Sequence, residues 1–192
     1  MEVINNTVEF LVDNFDFVFD FIVLGFLVYA WVISAKSSNI RWLLSVVVLS
    51  QIINAVFGPW FMEWRGFYYV TVSIIDVAAI YIVFNRKKVS SVLAAKNWPV
   101  VSSFSKLAVD NYKLTSNEIA FIFITSFSIA VNFSSVVECL IRDYTSYYPL
   151  VIYNNYPAIK FTLEVLMLFV LVSVAIDAKR GYYNGNPEKL SD

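Results

Sequence analysis

Five apolar runs dominate the pattern of hydrophobic and polar positions along the chain. They cover residues 17–35, 42–61, 68–84, 118–141 and 158–178, approximately. A transmembrane helix needs about 20 mostly apolar residues, because the hydrocarbon core of a bilayer is roughly 30 Å thick. The pattern therefore predicts an all-α integral membrane protein, folded as a single bundle of five transmembrane helices.

The third run carries one carboxylate, Asp76, near its middle. A charged residue at the centre of a lipid-embedded helix costs about 2.5–3.5 kcal/mol on insertion scales. Such residues therefore face the interior of a bundle and find a partner there. Asp76 is for this reason the central candidate for a functional site.

Further polar side chains interrupt the other predicted spans and extend the candidate binding set. Gln51, Asn54 and Asn132 fall near mid-bilayer, while Glu138 and Glu164 fall in the outer third of their spans. Gln51 and Asn54 are three residues apart and share one helical face. Glu138 lies four residues before Arg142, a spacing that favours a local ion pair. The set as a whole predicts a polar pathway that enters from the outer side.

Between the third and fourth runs, residues 89–113 contain no stretch long enough to cross a membrane. Phe104 and Ala108 recur at helical spacing, with Lys106 and Asp110 on the opposite side. This pattern predicts a short amphipathic interfacial segment on the membrane surface. A helix that docks on a partner protein has the same pattern, so that alternative stays open.

Local signals define the start and one face of the fourth span. Thr115 and Glu118 have the spacing of a capping box, in which each side chain accepts a hydrogen bond from a free amide at the helix start. Ser126, Ala130 and Ser134 follow at steps of four residues. Small residues at this spacing allow another helix to approach closely.

Two biased stretches lie at the predicted outer side. Four acidic residues share one helical face at the start of the chain: Glu9, Asp13, Asp16 and Asp20. They form either a solvated face or a vestibule that attracts cations. The loop 144–156 holds five tyrosines, which favours an aromatic girdle at the interface, with a ligand platform as the alternative.

The distribution of lysine and arginine predicts the orientation, because cytoplasmic loops are enriched in both residues. Eleven lie on one side: Lys36, Arg41, Arg86, Lys87, Lys88, Lys96, Lys106, Lys113, Lys179, Arg180 and Lys189. Three lie on the other: Arg65, Arg142 and Lys160. The N-terminus is therefore predicted outside and the C-terminus, with its polar tail 181–192, in the cytoplasm. We expect a multi-pass protein of the cell inner (plasma) membrane.

Composition narrows the chemistry further. The 192 residues are 59% hydrophobic and 15% charged, with a formal net charge of −1, so nucleic acid is not an expected partner. Histidine is absent and Cys139 is the single cysteine, which excludes histidine-based triads, thiolate metal clusters and intrachain disulfides. No phosphate-binding loop or nucleophile motif is present. We expect no cofactor, no metal site and no enzymatic activity.

Three functions fit these observations. In the first, Asp76 hydrogen-bonds Gln51, Asn54 or Asn132, and the protein is an interaction or assembly subunit that contacts other membrane chains or a second copy of itself. In the second, Asp76 is the centre of a cation- or proton-linked transporter or channel. The third is a pore-forming effector or viral membrane protein. In each case the lipid bilayer is the first partner.

Overall fold

The described part of the chain contains helices and no strands in the computed structural model. It comprises residues 15–34, 37–64, 67–96 and 114–180, with positions 102, 104–106 and 108; the side chains of 15–21, 59 and 62 are not described. The helices are α1 Phe15–Ile33, α2 Ser38–Met62, α3 Phe67–Phe84, α4 Arg86–Ala94, α5 Ser116–Tyr144 and α6 Val151–Arg180.

Four of these helices are long and apolar enough to cross a membrane. The qualifying stretches are Ser38–Gly58 in α2, Phe67–Phe84 in α3, Ser116–Tyr144 in α5 and Val151–Arg180 in α6. In α1 the apolar stretch with described side chains, Ile22–Ile33, is shorter. The helical architecture of the described residues, with four helices long and apolar enough to span a membrane, agrees with the sequence prediction. The fifth crossing and the orientation stay predictions.

Two of the helices begin at side-chain caps. The Ser37 hydroxyl accepts the Ile40 amide at 3.5 Å at the start of α2. At the start of α5, the Thr115 hydroxyl accepts the Glu118 amide at 3.1 Å, and the Glu118 carboxylate accepts the Thr115 amide at 2.8 Å. This confirms the predicted capping box, a motif that satisfies amides left free at a helix N-terminus.

The long helices form a closed ring. The main contacts join α1 to α2, α2 to α3, α3 to α5, α5 to α6 and α6 back to α1. Short connections make α1 and α2, α2 and α3, and α5 and α6 antiparallel. The helices α3 and α5 are antiparallel too, because Arg86, just after α3, contacts Glu118 at the start of α5. By contrast, α6 and α1 run in the same direction. The ring places α3, α5 and α6 side by side, with α5 in the middle.

The tightest packing lies at one end of the ring, where α1, α3 and α6 end and α2 and α5 begin. Leu27, Leu44, Val83 and Val174 are fully buried there. Elsewhere large apolar side chains face outward, as in Phe67 and Phe123, which are 71% and 73% exposed. Such a surface is unusual for a water-soluble monomer but suits lipid as the solvent.

The segment after α4 packs on the same end of the bundle. Ala108 is fully buried, and the Phe104 ring stacks on Trp42 with centroids 6.0 Å apart. Lys106 on the other side is exposed. The apolar positions of this segment that are described thus contact α2 and the core, whereas the sequence pattern assigned them to lipid.

Several sequence predictions concern residues that are not described. Glu9, Asp13 and the tail 181–192 lie outside the described part of the chain, and Asp16 and Asp20 lie in α1 without described side chains. The acidic stripe therefore stays a prediction.

Candidate functional site

A hydrogen-bonded chain of three side chains joins α3, α5 and α6. The Ser128 hydroxyl donates to Oδ2 of Asp76 at 2.8 Å. The Lys160 ammonium group donates to the Ser128 oxygen at 2.6 Å. Ser128 therefore links an acid and a base that are 84 positions apart in sequence. We call Asp76, Ser128 and Lys160 the central triad.

Helix register brings the central triad together. Asp76 lies nine residues after Phe67 at the start of α3, and Lys160 lies nine residues after Val151 at the start of α6. Both helices start at the same end of the ring, so both side chains are about 13 Å along their helices. On α3, Asp76 shares a face with the buried Ala79 and Val83, three and seven positions on.

A second layer of side-chain contacts lies one helical turn from the central triad. The Tyr156 hydroxyl donates to Oδ1 of Asn132 at 2.8 Å, and the Lys160 nitrogen is 5.6 Å from the centre of the Tyr156 ring. The Tyr69 ring meets the Tyr156 ring edge-on, with centroids 5.0 Å apart. Because Ser128 and Asn132 are four apart, and so are Tyr156 and Lys160, these pairs form successive layers of the α5–α6 contact.

Asn132 has a donor left over in this layer. The residue is fully buried, and its Nδ2 atom has no acceptor among the described residues. A buried polar donor without a partner is costly, and an ordered water or ion is one of the ways in which such a group is satisfied. The site therefore combines two ionisable groups with an unused amide donor.

Glu138 lies at the end of the α5–α6 contact where α5 ends and α6 begins. Its two carboxylate oxygens accept the backbone amides of Ile152 at 2.8 Å and Tyr153 at 2.9 Å, which are free donors in the first turn of α6. The predicted ion pair of Glu138 with Arg142 is wrong for these described side chains. The Arg142 guanidinium instead lies 4.8 Å from the centre of the Tyr153 ring.

The amides predicted to accompany Asp76 do not do so. Gln51 and Asn54 are half-buried on α2, and within the described residues neither hydrogen-bonds the central triad. Asn132 is part of the site but bonds Tyr156. Glu164 is exposed and lies one turn along α6 from Lys160. Of the predicted set, Asp76 and Asn132 thus lie in one network, with Glu164 beside it.

Sequence reasoning missed Ser128, Lys160 and Tyr156 as parts of the site. The sequence pattern places Lys160 on the outer side, because the predicted crossing begins after Pro157. In the structure α6 begins seven residues earlier than the predicted crossing and includes Pro157. The i, i+4 spacing of Tyr156, Lys160 and Glu164 was the signal that could have identified this helical face.

A second cluster of buried charged groups lies at the end of the bundle where α2, α4 and α5 begin. Arg86 is 0% exposed and donates to Glu118 at 2.8 Å and to Oδ1 of Asn39 at 2.6 Å. It joins the starts of α4, α5 and α2. Nearby, Asn117 donates to Asp177 on α6 at 2.8 Å. These contacts fix helix ends and do not connect to the central triad.

No protein-family model matches the chain, and comparison with curated proteins and with solved structures finds no match either. Among the described residues, no three histidine, cysteine or acidic side chains converge as a metal site would require.

Proposed function

We propose that the protein is a proton-linked membrane transporter or channel whose centre is the triad of Asp76, Ser128 and Lys160. The single observation that carries this proposal is the hydrogen-bonded chain from Lys160 through Ser128 to Asp76. It lies within three helices that are long and apolar enough to span a membrane. Ionisable groups inside membranes are costly and are characteristic of ion pathways and proton relays.

The chain of donors and acceptors supports two charge states. With Lys160 charged and Asp76 ionised, Ser128 donates to the carboxylate and accepts from the ammonium group. If Lys160 passes a proton to the Ser128 oxygen and Ser128 passes its own proton to Asp76, both ionisable groups become neutral. The proton count is unchanged, and the separated charges disappear from a low-dielectric region, where each charge is expensive. This internal transfer carries no net proton, so a proton-linked cycle also requires the triad to take up a proton from the water on one side and release it on the other.

The positive charge of Lys160 also affects which ion the proposed site can carry. The ammonium group reaches Asp76 through the Ser128 hydroxyl and already supplies a positive charge near the carboxylate, as a bound metal cation would. A second cation would then be repelled, whereas a proton is transferred within the existing chain. Of the two ions considered from sequence, the proton therefore fits this site better than sodium.

The proposal includes five crossings, with the N-terminus outside and the C-terminus in the cytoplasm, in the inner (plasma) membrane. Supporting this, α1 closes the ring between α2 and α6, and its Leu27 and Ala30 are fully buried. Because Lys160 belongs to the site, only Arg65 and Arg142 remain as basic residues of the outer loops, against eleven on the inner side. That difference strengthens the charge argument for this orientation.

A second candidate function is an assembly subunit of a membrane complex, which is the first interpretation of the sequence. One observation favours it: Ser126 and Ala130 on the small-residue face of α5 are exposed, while Ser134 on that face is half-buried. The exposed part of this face is not covered by the described helices and suits contact with another helix. The acid–base triad, however, is internally satisfied and needs no partner chain.

Proton flux in liposomes loaded with a pH-sensitive dye tests the transport proposal. We expect Asp76→Asn and Lys160→Met to reduce flux by roughly 10²-fold or more, the usual scale for losing a positioned proton donor or acceptor. Ser128→Ala removes the relay but not the charges, and the expected loss is of the same order.

Matched controls are Ser135→Ala and Asp143→Asn. Ser135 is a buried serine on α5 that bonds only its own helix, and Asp143 is an exposed acid at the end of that helix. Both should retain flux. Equal flux in Asp76→Asn and wild type would reject the transport proposal in favour of the assembly subunit.

A further inference from the structure

An apolar groove runs between α1 and α2, the two long helices that carry no residue of the central triad. Its volume is about 510 Å³, and its lining residues are Val28, Trp31, Ser45, Val48, Leu49 and Ile52. From Ser45 to Ile52 it follows α2 for about two turns, or about 10 Å. We call it the α1–α2 groove.

An arginine lies at one end of this groove. The Arg41 guanidinium is 4.5 Å from the centre of the Trp31 ring, and Trp31 in turn donates to the Ser45 hydroxyl at 3.3 Å. Arg41 is half-buried and forms no ion pair with the acidic residues of the described chain. Its Nε atom is buried and has no acceptor among the described residues.

The surroundings of Arg41 add to its positive charge. The residue follows the N-cap Ser37 by four positions, at the first turn of α2, where the helix dipole favours an anion. Arg41 is thus a cation that has no ion pair among the described residues and has an unused donor, and it lies at the end of an apolar groove beside a tryptophan. An anionic lipid headgroup complements this combination.

We propose that the α1–α2 groove binds an anionic phospholipid, with an acyl chain against Val48 and Leu49 and the phosphate at Arg41. The lining supplies no charged group, so it suits hydrocarbon. The binding site lies at the end of the bundle where the inner leaflet is expected. The groove lies on a different face from the proposed proton pathway, so failure of the transport proposal would leave this proposal unaffected.

Quenching of Trp31 fluorescence by brominated lipids tests this proposal. The protein is reconstituted in phosphatidylcholine vesicles that contain increasing fractions of either brominated phosphatidylglycerol or brominated phosphatidylcholine. The Trp31 signal is the difference between wild type and Trp31→Phe. We expect half-maximal quenching at about fivefold less brominated phosphatidylglycerol than phosphatidylcholine, the factor expected for one basic residue at an anionic surface.

Two variants identify the residues responsible. Arg41→Gln should remove the fivefold preference, and Arg41→Lys should keep most of it, because the charge remains. Val48→Phe fills the groove without a change of charge and should abolish the preferential quenching. Lys88→Gln is the matched control: it removes an exposed charge from the same expected side of the membrane and should retain the preference.

Equal quenching of wild type by both brominated lipids would overturn the proposal, because it describes the unselective lipid shell of any membrane protein. An unchanged preference in Arg41→Gln, or in Val48→Phe, would overturn it too. Protection of Trp31 from both lipids, together with a dimer in cross-linking, would show instead that a second copy covers the groove.

Discussion

Arg86 is a basic residue that follows the end of the third predicted span. Its side chain does not face water. Its neighbours Lys87 and Lys88 are exposed, but the Arg86 side chain is 0% exposed and bonds Glu118, which is 1% exposed. Moving either charge out of water costs several kcal/mol, so each is tolerated only because the other is present. Asn39 satisfies a second guanidinium nitrogen. The pair therefore specifies how the starts of α2, α4 and α5 meet.

Removal of one charge of this pair should be far more damaging than removal of an exposed charge nearby. Glu118→Gln keeps the size and the capping ability of the side chain but leaves Arg86 without its counter-charge. We expect it to lower the free energy of unfolding by about 3–5 kcal/mol. The measurement is equilibrium unfolding in detergent micelles.

Lys88→Gln is the control for this prediction, with an expected change within about 0.5 kcal/mol. The double variant Arg86→Met, Glu118→Met should recover much of the lost stability, because it removes both buried charges. Similar stability of Glu118→Gln and Lys88→Gln would contradict this account of the pair.

This residue pair also shows how far local sequence signals extend. The capping box of Thr115 and Glu118 was predictable, because its two residues are three positions apart and the motif has a local mechanism. The bond from Glu118 to Arg86 was not predictable, because it joins residues 32 positions apart whose meeting depends on helix packing. The same limit explains why Asp76 was identified as a buried acid while its partners Ser128 and Lys160 were not.

At the scale of helices, α6 differs most from the sequence prediction. Its first turns contain tyrosines, asparagines and Pro157, which read as a polar loop, yet the helix begins at Val151. Proline in a helix interior removes a hydrogen bond and costs about 3 kcal/mol. The Glu138 carboxylate offsets part of this cost, since it accepts the amides of Ile152 and Tyr153. An acid on α5 thus stabilises the helix that carries Tyr156 and Lys160.

Loss of the Glu138 carboxylate should loosen the start of α6. In Glu138→Ala we expect faster hydrogen exchange at amides 151–156 and a stability loss of about 1–3 kcal/mol, the cost of unsatisfied buried donors. Glu138→Gln should have an intermediate effect, because the amide offers one acceptor oxygen in place of two. Hydrogen–deuterium exchange with mass spectrometry measures both variants.

Asp143→Ala is the matched control, since it removes an exposed acid from the same end of α5. Its exchange at residues 151–156 should equal that of wild type. If Glu138→Ala leaves exchange in this segment unchanged, the start of α6 is held by other contacts and the capping explanation fails.

For the whole molecule, hydrophobic runs alone were sufficient to predict four helices that are long and apolar enough to span a membrane, since a bilayer imposes a length that sequence records directly. The helix faces that meet in the ring α1, α2, α3, α5, α6 were not available from the runs, because large apolar side chains also lie on the exposed faces of the helices. The few polar positions distinguish one face from another. Their contacts between α3, α5 and α6 therefore reveal which faces meet.

The proposed topology has a direct consequence for chemical labelling. Cys139 is the single cysteine, so Cys139→Ser gives a background in which one new cysteine reports one position. A membrane-impermeant maleimide applied to intact cells should label Asn6→Cys, ahead of α1, and Tyr147→Cys, between α5 and α6. Lys88→Cys, between α3 and α5, should react only after permeabilisation.

With four crossings in place of five, Asn6→Cys would share the behaviour of Lys88→Cys, and an inverted protein would exchange the results of Tyr147→Cys and Lys88→Cys. The pattern therefore tests the number of crossings separately from their direction, and an orientation opposite to the one proposed would also move the Arg41 end of the α1–α2 groove to the outer leaflet.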